Sequence, residues 1–74
     1  MKERAVTRTA FIVGISIPMP DFRAHLTTVP GAEFLRELPP ARAVVAVPSR
    51  EAARALARLD GVTWVREDRP ERLL

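Results

Sequence analysis

The chain has 74 residues, no cysteine, 47 % hydrophobic residues and a formal charge of +3 from 12 basic and 9 acidic side chains. That length excludes more than one domain, and the hydrophobic fraction excludes a disordered chain. Neither a disulfide framework nor a thiolate zinc site can supplement the core of a domain that, at this size, buries only about 60 % of its unfolded surface.

All but one of the basic residues are arginine, the exception being Lys2. A guanidinium forks onto phosphate or carboxylate. It equally suits the solvated surface of a GC-biased or heat-adapted protein, and the absence of Asn and Gln fits avoidance of thermolabile amides. The opening, "MKERAVTRTAFIVGIS", starts basic. Its apolar run from Phe11 to Ile17 is too short to span a bilayer and lacks a small-residue cleavage pattern, so it is not read as a signal peptide. The expected location is cytoplasmic for a free-standing protein and extracellular for a segment cut from a secreted precursor.

"TAFIVGISI", Thr9 to Ile17, is uncharged and rich in β-branched residues, so it reads as a central strand. Phe11, Val13, Ile15 and Ile17 fall on one face, and Ala10, Ile12, Gly14 and Ser16 on the other. Pro18 and Pro20 end it. Asp21 is placed to cap a short helix in which Phe22 and Leu26 share a face. Pro30-Gly31 stops that segment. "AEFLREL", Ala32 to Leu38, alternates imperfectly and suits an exposed edge strand, turning at Pro39-Pro40. "RAVVAV", Arg42 to Val47, is a second uncharged strand. Ser49 caps the helix "REAARALARLD", which Gly61 closes. Ala52, Leu56 and Leu59 form its buried stripe, and Arg50, Arg54 and Arg58 repeat on another face. In the closing "GVTWVREDRPERLL", Val62 and Trp64 alternate with Thr63 and Val65 in a last strand.

The predicted order is β-α-β-β-α-β. The two uncharged strands belong in the middle of a four-stranded antiparallel sheet and the charged ones at its edges, with right-handed crossovers placing both helices on one face: an α+β, ferredoxin-like plan. The helix-free face is then expected to be smooth and apolar, a property of interaction surfaces.

Catalytic residue types are scarce. His25 lies four residues after Asp21, too few ligands for a specific metal site. Ser49 is explained as a cap, Ser16 has no evident base, and no glycine-rich phosphate loop exists. The carboxylate pair Glu67-Asp68 is sequential rather than placed across a cleft. The chain is therefore expected not to be an enzyme and to need no cofactor or metal. RNA-recognition domains share this fold plan but stack bases on aromatics of the central strands, where this sequence offers only Phe11. No nucleic-acid or membrane partner is expected.

"FIVGIS", Phe11 to Ser16, resembles the opening strand motif of the subtilisin propeptides. "AVPSREAARALARLDGVTWVREDR", Ala46 to Arg69, resembles that family's second half: strand, capped helix, Val-x-aromatic-Val and an acidic pair. The resemblance covers most of the chain from Phe11 onward and is weakest over Pro18 to Pro40. It implies a propeptide-like inhibitor domain, a residue 1–8 extension and a residue 69–74 inhibitory tail. It further implies that the chain inhibits, and assists folding of, a subtilisin-like serine protease. The sheet face would dock on surface helices, and the tail would occupy the active-site cleft as a product-like strand. The implied protease contacts are Trp64, Arg66, Glu67, Asp68, Pro70, Glu71, Arg72, Leu73 and Leu74. Asp68 is the better placed carboxylate to meet a helix N-terminus on the protease. Leu73 and Leu74 offer side chains to specificity pockets. The sequence departs from the family at Arg66, often an acid there, at Glu71, usually a small or apolar residue, and in a shorter first helix. The alternative is an interaction module that forms a weak homodimer through its open sheet face.

Overall fold

The computed structural model describes residues 8–68, in the order β1 (Thr9–Ile15), α1 (Met19–Leu26), β2 (Glu33–Leu38), β3 (Arg42–Val47), α2 (Arg50–Ala57) and β4 (Val62–Glu67). The strands form one antiparallel sheet in the order β2-β3-β1-β4. The fold is thus α+β and ferredoxin-like, with β1, which carries no charge, and β3, charged only at its first residue Arg42, in the middle. Extended, β-branched strands place alternate residues on opposite faces. Val13 and Ile15 of β1 and Ala43, Val45 and Val47 of β3 point to the helices, where Phe22 and Leu26 of α1 and Ala52 and Leu56 of α2 complete the core. Phe22, Leu56, Val13, Val45 and Val47 are the largest fully buried side chains, and among the described residues no polar or charged side chain is buried.

Each helix departs from expectation at one end. α2 is capped as expected: the Ser49 hydroxyl oxygen accepts from the Ala52 amide at 3.0 Å. It stops at Ala57, however, sooner than the run to Asp60 predicted. Leu59 and Gly61 lie in the turn beyond it, and Gly61 takes φ +89° where an added Cβ would strike Ile17. In α1, Asp21 is not the cap. The helix begins three residues earlier, at Met19 after Pro18, and no side chain caps it. Pro20 is accommodated because the first helical turn has no internal use for its missing N–H, which leaves Asp21 as an acid in that turn. The Thr27 and Thr28 hydroxyls donate to the Ala24 and His25 carbonyls at 2.6 and 2.7 Å and finish the helix. The Arg23 guanidinium lies 4.2 Å from the centre of the Phe34 ring and ties α1 to β2.

Both outer strands carry a bulge, which sequence alternation did not show. In β2 the register with β3 shifts between Phe34 and Arg36, leaving Leu35 as the extra residue, 46 % exposed. In β4 the register with β1 shifts so that Thr63 is extra between Val62 and Trp64. A bulge reverses the facing of whatever follows it. Val62 therefore joins the core with Val65 instead of sharing a face with Trp64, a correction to the alternation read from the sequence.

Truncating Phe22 or Leu56 to alanine removes a fully buried side chain and is expected to cost about 2–5 kcal/mol. A domain of this size has about 3–5 kcal/mol in total, so these variants should lose the cooperative thermal transition in circular dichroism. Ser49→Ala should cost about 1 kcal/mol and lower Tm by about 4–8 °C while the transition stays cooperative.

Candidate functional site

The helix-free face is made of three rows running across the sheet from β2 to β4. Directly paired residues in antiparallel strands share a face, so the pairings define each row. The first is Glu33, Ala46, Ala10 and, one residue past β4, Asp68, whose amide donates to the Ala10 carbonyl at 2.9 Å. The second is Arg36, Val44, Ile12 and Arg66, and the third Leu38, Arg42, Gly14 and Trp64. The two middle columns are apolar apart from Arg42, and small: Ala, Val, Ile and Gly. Charges sit mainly on the outer strands.

The expectation of a smooth apolar face holds for that centre and fails at the rim. Val44 and Ala46 are only 3 % and 6 % exposed although no helix covers them, because larger neighbours on each side crowd them. One such neighbour is the ion pair of Arg8 with Glu33, the only ion pair found among the described residues. The Arg42 guanidinium donates to the Pro39 carbonyl at 3.0 Å and so turns towards the end of the sheet.

Trp64 is the one large aromatic on this face, 42 % exposed. Its indole lies across Gly14: a Cβ built there would come within 2.2 Å of Nε1 and 2.4 Å of Cε2. The "IVG" of the first strand thus has a steric role, since only glycine leaves room for the ring. The Arg66 guanidinium stands over the ring at 5.8 Å from its centre, within reach of a cation–π attraction. Gly14 and Arg66 together hold the indole against the sheet.

Of the residues the sequence singled out, Trp64, Arg66 and Asp68 come together on this face by register and alternation. Glu67 does not: it pairs with Phe11 on the helix side. There it lines a shallow groove of about 650 Å³ beside α2, with Phe11, Ala53, Arg50 and Arg54. Pro70, Glu71, Arg72, Leu73 and Leu74 lie outside the described residues, as does the extension before Arg8. The sequence placed Ile12, Gly14 and Val44 on the open face without naming them as site residues, and it missed Arg36 altogether. The signal for Gly14 was a lone glycine inside an otherwise β-branched strand, a mark of close approach by another group. Arg36 had no readable signal, because the Leu35 bulge decides its face.

No grouping of three or more His, Cys, Asp or Glu able to hold a metal occurs among the described residues, and no helix there is long and apolar enough to cross a membrane. No family model, no curated protein and no solved structure matches the chain.

Gly14→Ala places a methyl where the indole lies, so Trp64 must swing outward. Trp64 is the single tryptophan, so its emission should shift red and become more open to acrylamide quenching. Unchanged emission and quenching would mean that the ring does not rest on residue 14.

Proposed function

We propose that this chain is a propeptide-like inhibitor and folding assistant of a subtilisin-like serine protease, acting by surface docking rather than by catalysis. The observation that carries the reading is a helix-free sheet face with an apolar centre that runs, along β4, from Trp64 through Arg66 to Asp68 at the point where the terminal segment begins. Val44 and Ala46 are already nearly covered, so the apolar area that docking removes from water is chiefly that of Ile12 and Trp64, at about 25 cal/mol per Å². The "FIVGIS" and "PSREAARALARLDGVTWVRED" motifs add to it, because they resemble the subtilisin propeptides in order and spacing.

In this reading the apolar centre packs on surface helices of the protease. Asp68, at the acidic end of the face, accepts hydrogen bonds from the orphan amides of a helix N-terminus. Pro70 would fix its own φ and bias Arg69 before it toward an extended backbone. Glu71 to Leu74 then pair with the cleft as an added strand, with Leu73 and Leu74 in specificity pockets. Glu67 has no contact in this arrangement beyond its place next to Asp68. Self-association through the same face is the second reading, favoured by the same apolar centre and opposed by the arginines beside it.

Titration of a purified subtilisin with the chain should abolish peptidase activity at near-stoichiometric ratio. Deleting residues 71–74 should weaken inhibition by orders of magnitude and leave the circular dichroism spectrum unchanged. Asp68→Ala should weaken it about tenfold, the order expected for one charge-assisted hydrogen bond. A chain that leaves the protease fully active, and whose sedimentation instead shows a concentration-dependent dimer, belongs to the second reading.

A further inference from the structure

We infer that the helix-free face recognises a partner surface built as an apolar ridge flanked on both sides by carboxylates, which Arg36 and Arg66 grip from opposite edges of the sheet. This rests on the docking reading above and specifies the chemistry of the surface that is docked.

Arg36 of β2 and Arg66 of β4 occupy the same row, with Val44 and Ile12 between them. Three strand spacings separate the two backbones, about 14 Å. That is slightly more than the width of one α-helix with its side chains, about 10–12 Å. A ridge of helical width can therefore lie over half-buried Ile12 with a guanidinium at each flank, Val44 beneath it being already nearly covered. Both arginines are exposed and neither has an ion-pair partner among the described residues, whereas Arg8 is already engaged by Glu33. Arg66 is also steadied by Trp64, so less side-chain freedom is lost when it binds.

The face is electrically polarised. Asp68 and Glu33 lie in one end row, and Arg36 and Arg66 in the next, two residues along the strands or about 7 Å away. A partner helix meeting Asp68 with its N-terminus would bring its own carboxylates to Arg36 and Arg66 roughly one turn later, about 5.4 Å along its axis. The order of charges thus fixes which way round the partner lies.

Two other occupants fit less well. A second copy stacked face to face about this row sets like charges together, which opposes association. One offset by a row sets Asp68 against Arg66 and Glu33 against Arg36, but Glu33 is already engaged by Arg8, and a concentration-dependent dimer in sedimentation would overturn the inference. A single-stranded nucleic acid would need a free aromatic face, but the indole has Gly14 beneath it and Arg66 above. Its phosphates would also meet Asp68 and Glu33.

The test measures the inhibition constant of the intact chain against a purified subtilisin at 50 and 500 mM NaCl. The same is done for Arg36→Glu, for Arg36→Glu/Arg66→Glu, and for Arg50→Glu/Arg54→Glu on α2 as a control of equal charge change. Thermal melts confirm that each variant is folded. The expected result is at least a tenfold loss for Arg36→Glu, a larger loss for the double variant, shrinkage of both losses at high salt, and little change for the α2 control. Equal losses for the α2 control, or none for Arg36→Glu in a chain that still inhibits, would overturn this inference and leave the inhibitor reading standing. No inhibition by the unmodified chain would remove both. A single-stranded oligonucleotide bound by the chain and released by the double reversal would assign the face to nucleic acid and overturn the inference as well.

Discussion

Two helices of eight residues each cannot cover both sides of a four-stranded sheet. That constraint organises everything else in this domain. The central strands are apolar on both faces, yet only one face has helices to meet it. The core that results is small and dry, built from Phe22, Leu56 and a handful of valines, alanines and leucines. The other face is left with alanine, valine, isoleucine and glycine in its middle columns, and its protection comes from side chains lying over it rather than from a packed layer. The Arg8–Glu33 pair and the indole of Trp64 do that from opposite sides. A face protected this lightly is readily given to another surface.

Most of the architecture was legible from composition along the chain. Charge was the decisive signal: "TAFIVGISI" and "AVVAV" carry none, and strands that must lie between two others carry none for a physical reason, since charge there would be stripped of water. Punctuation supplied the rest, with proline and glycine marking turns and Ser49 marking the start of α2. What could not be read were events that depend on a neighbouring strand. The bulges at Leu35 and Thr63 are properties of the pairing between two strands, and one strand's sequence does not contain that information. The start of α1 was misplaced for a related reason: Pro18 and Pro20 look like breakers, yet proline in a first helical turn breaks nothing.

The candidate site shows the same division. Trp64, Arg66 and Asp68 were found because they follow one another at every second position of a short strand. Arg36 was not, because its side of the sheet is decided by the bulge before it. Its position opposite Arg66 changes the character of the surface from an apolar plate to an apolar channel between cations. Arg66, like Glu71, is a position at which the sequence departs from the family pattern it resembles.

The two bulges bear on something apart from facing. A bare outer strand is a template on which another chain can crystallise its backbone, donor to acceptor, without limit. Leu35 breaks that template near the middle of β2 and Thr63 near the start of β4, so neither margin offers an uninterrupted ladder along its whole length. Growth in the plane of the sheet is blunted in both directions, while approach from above remains open.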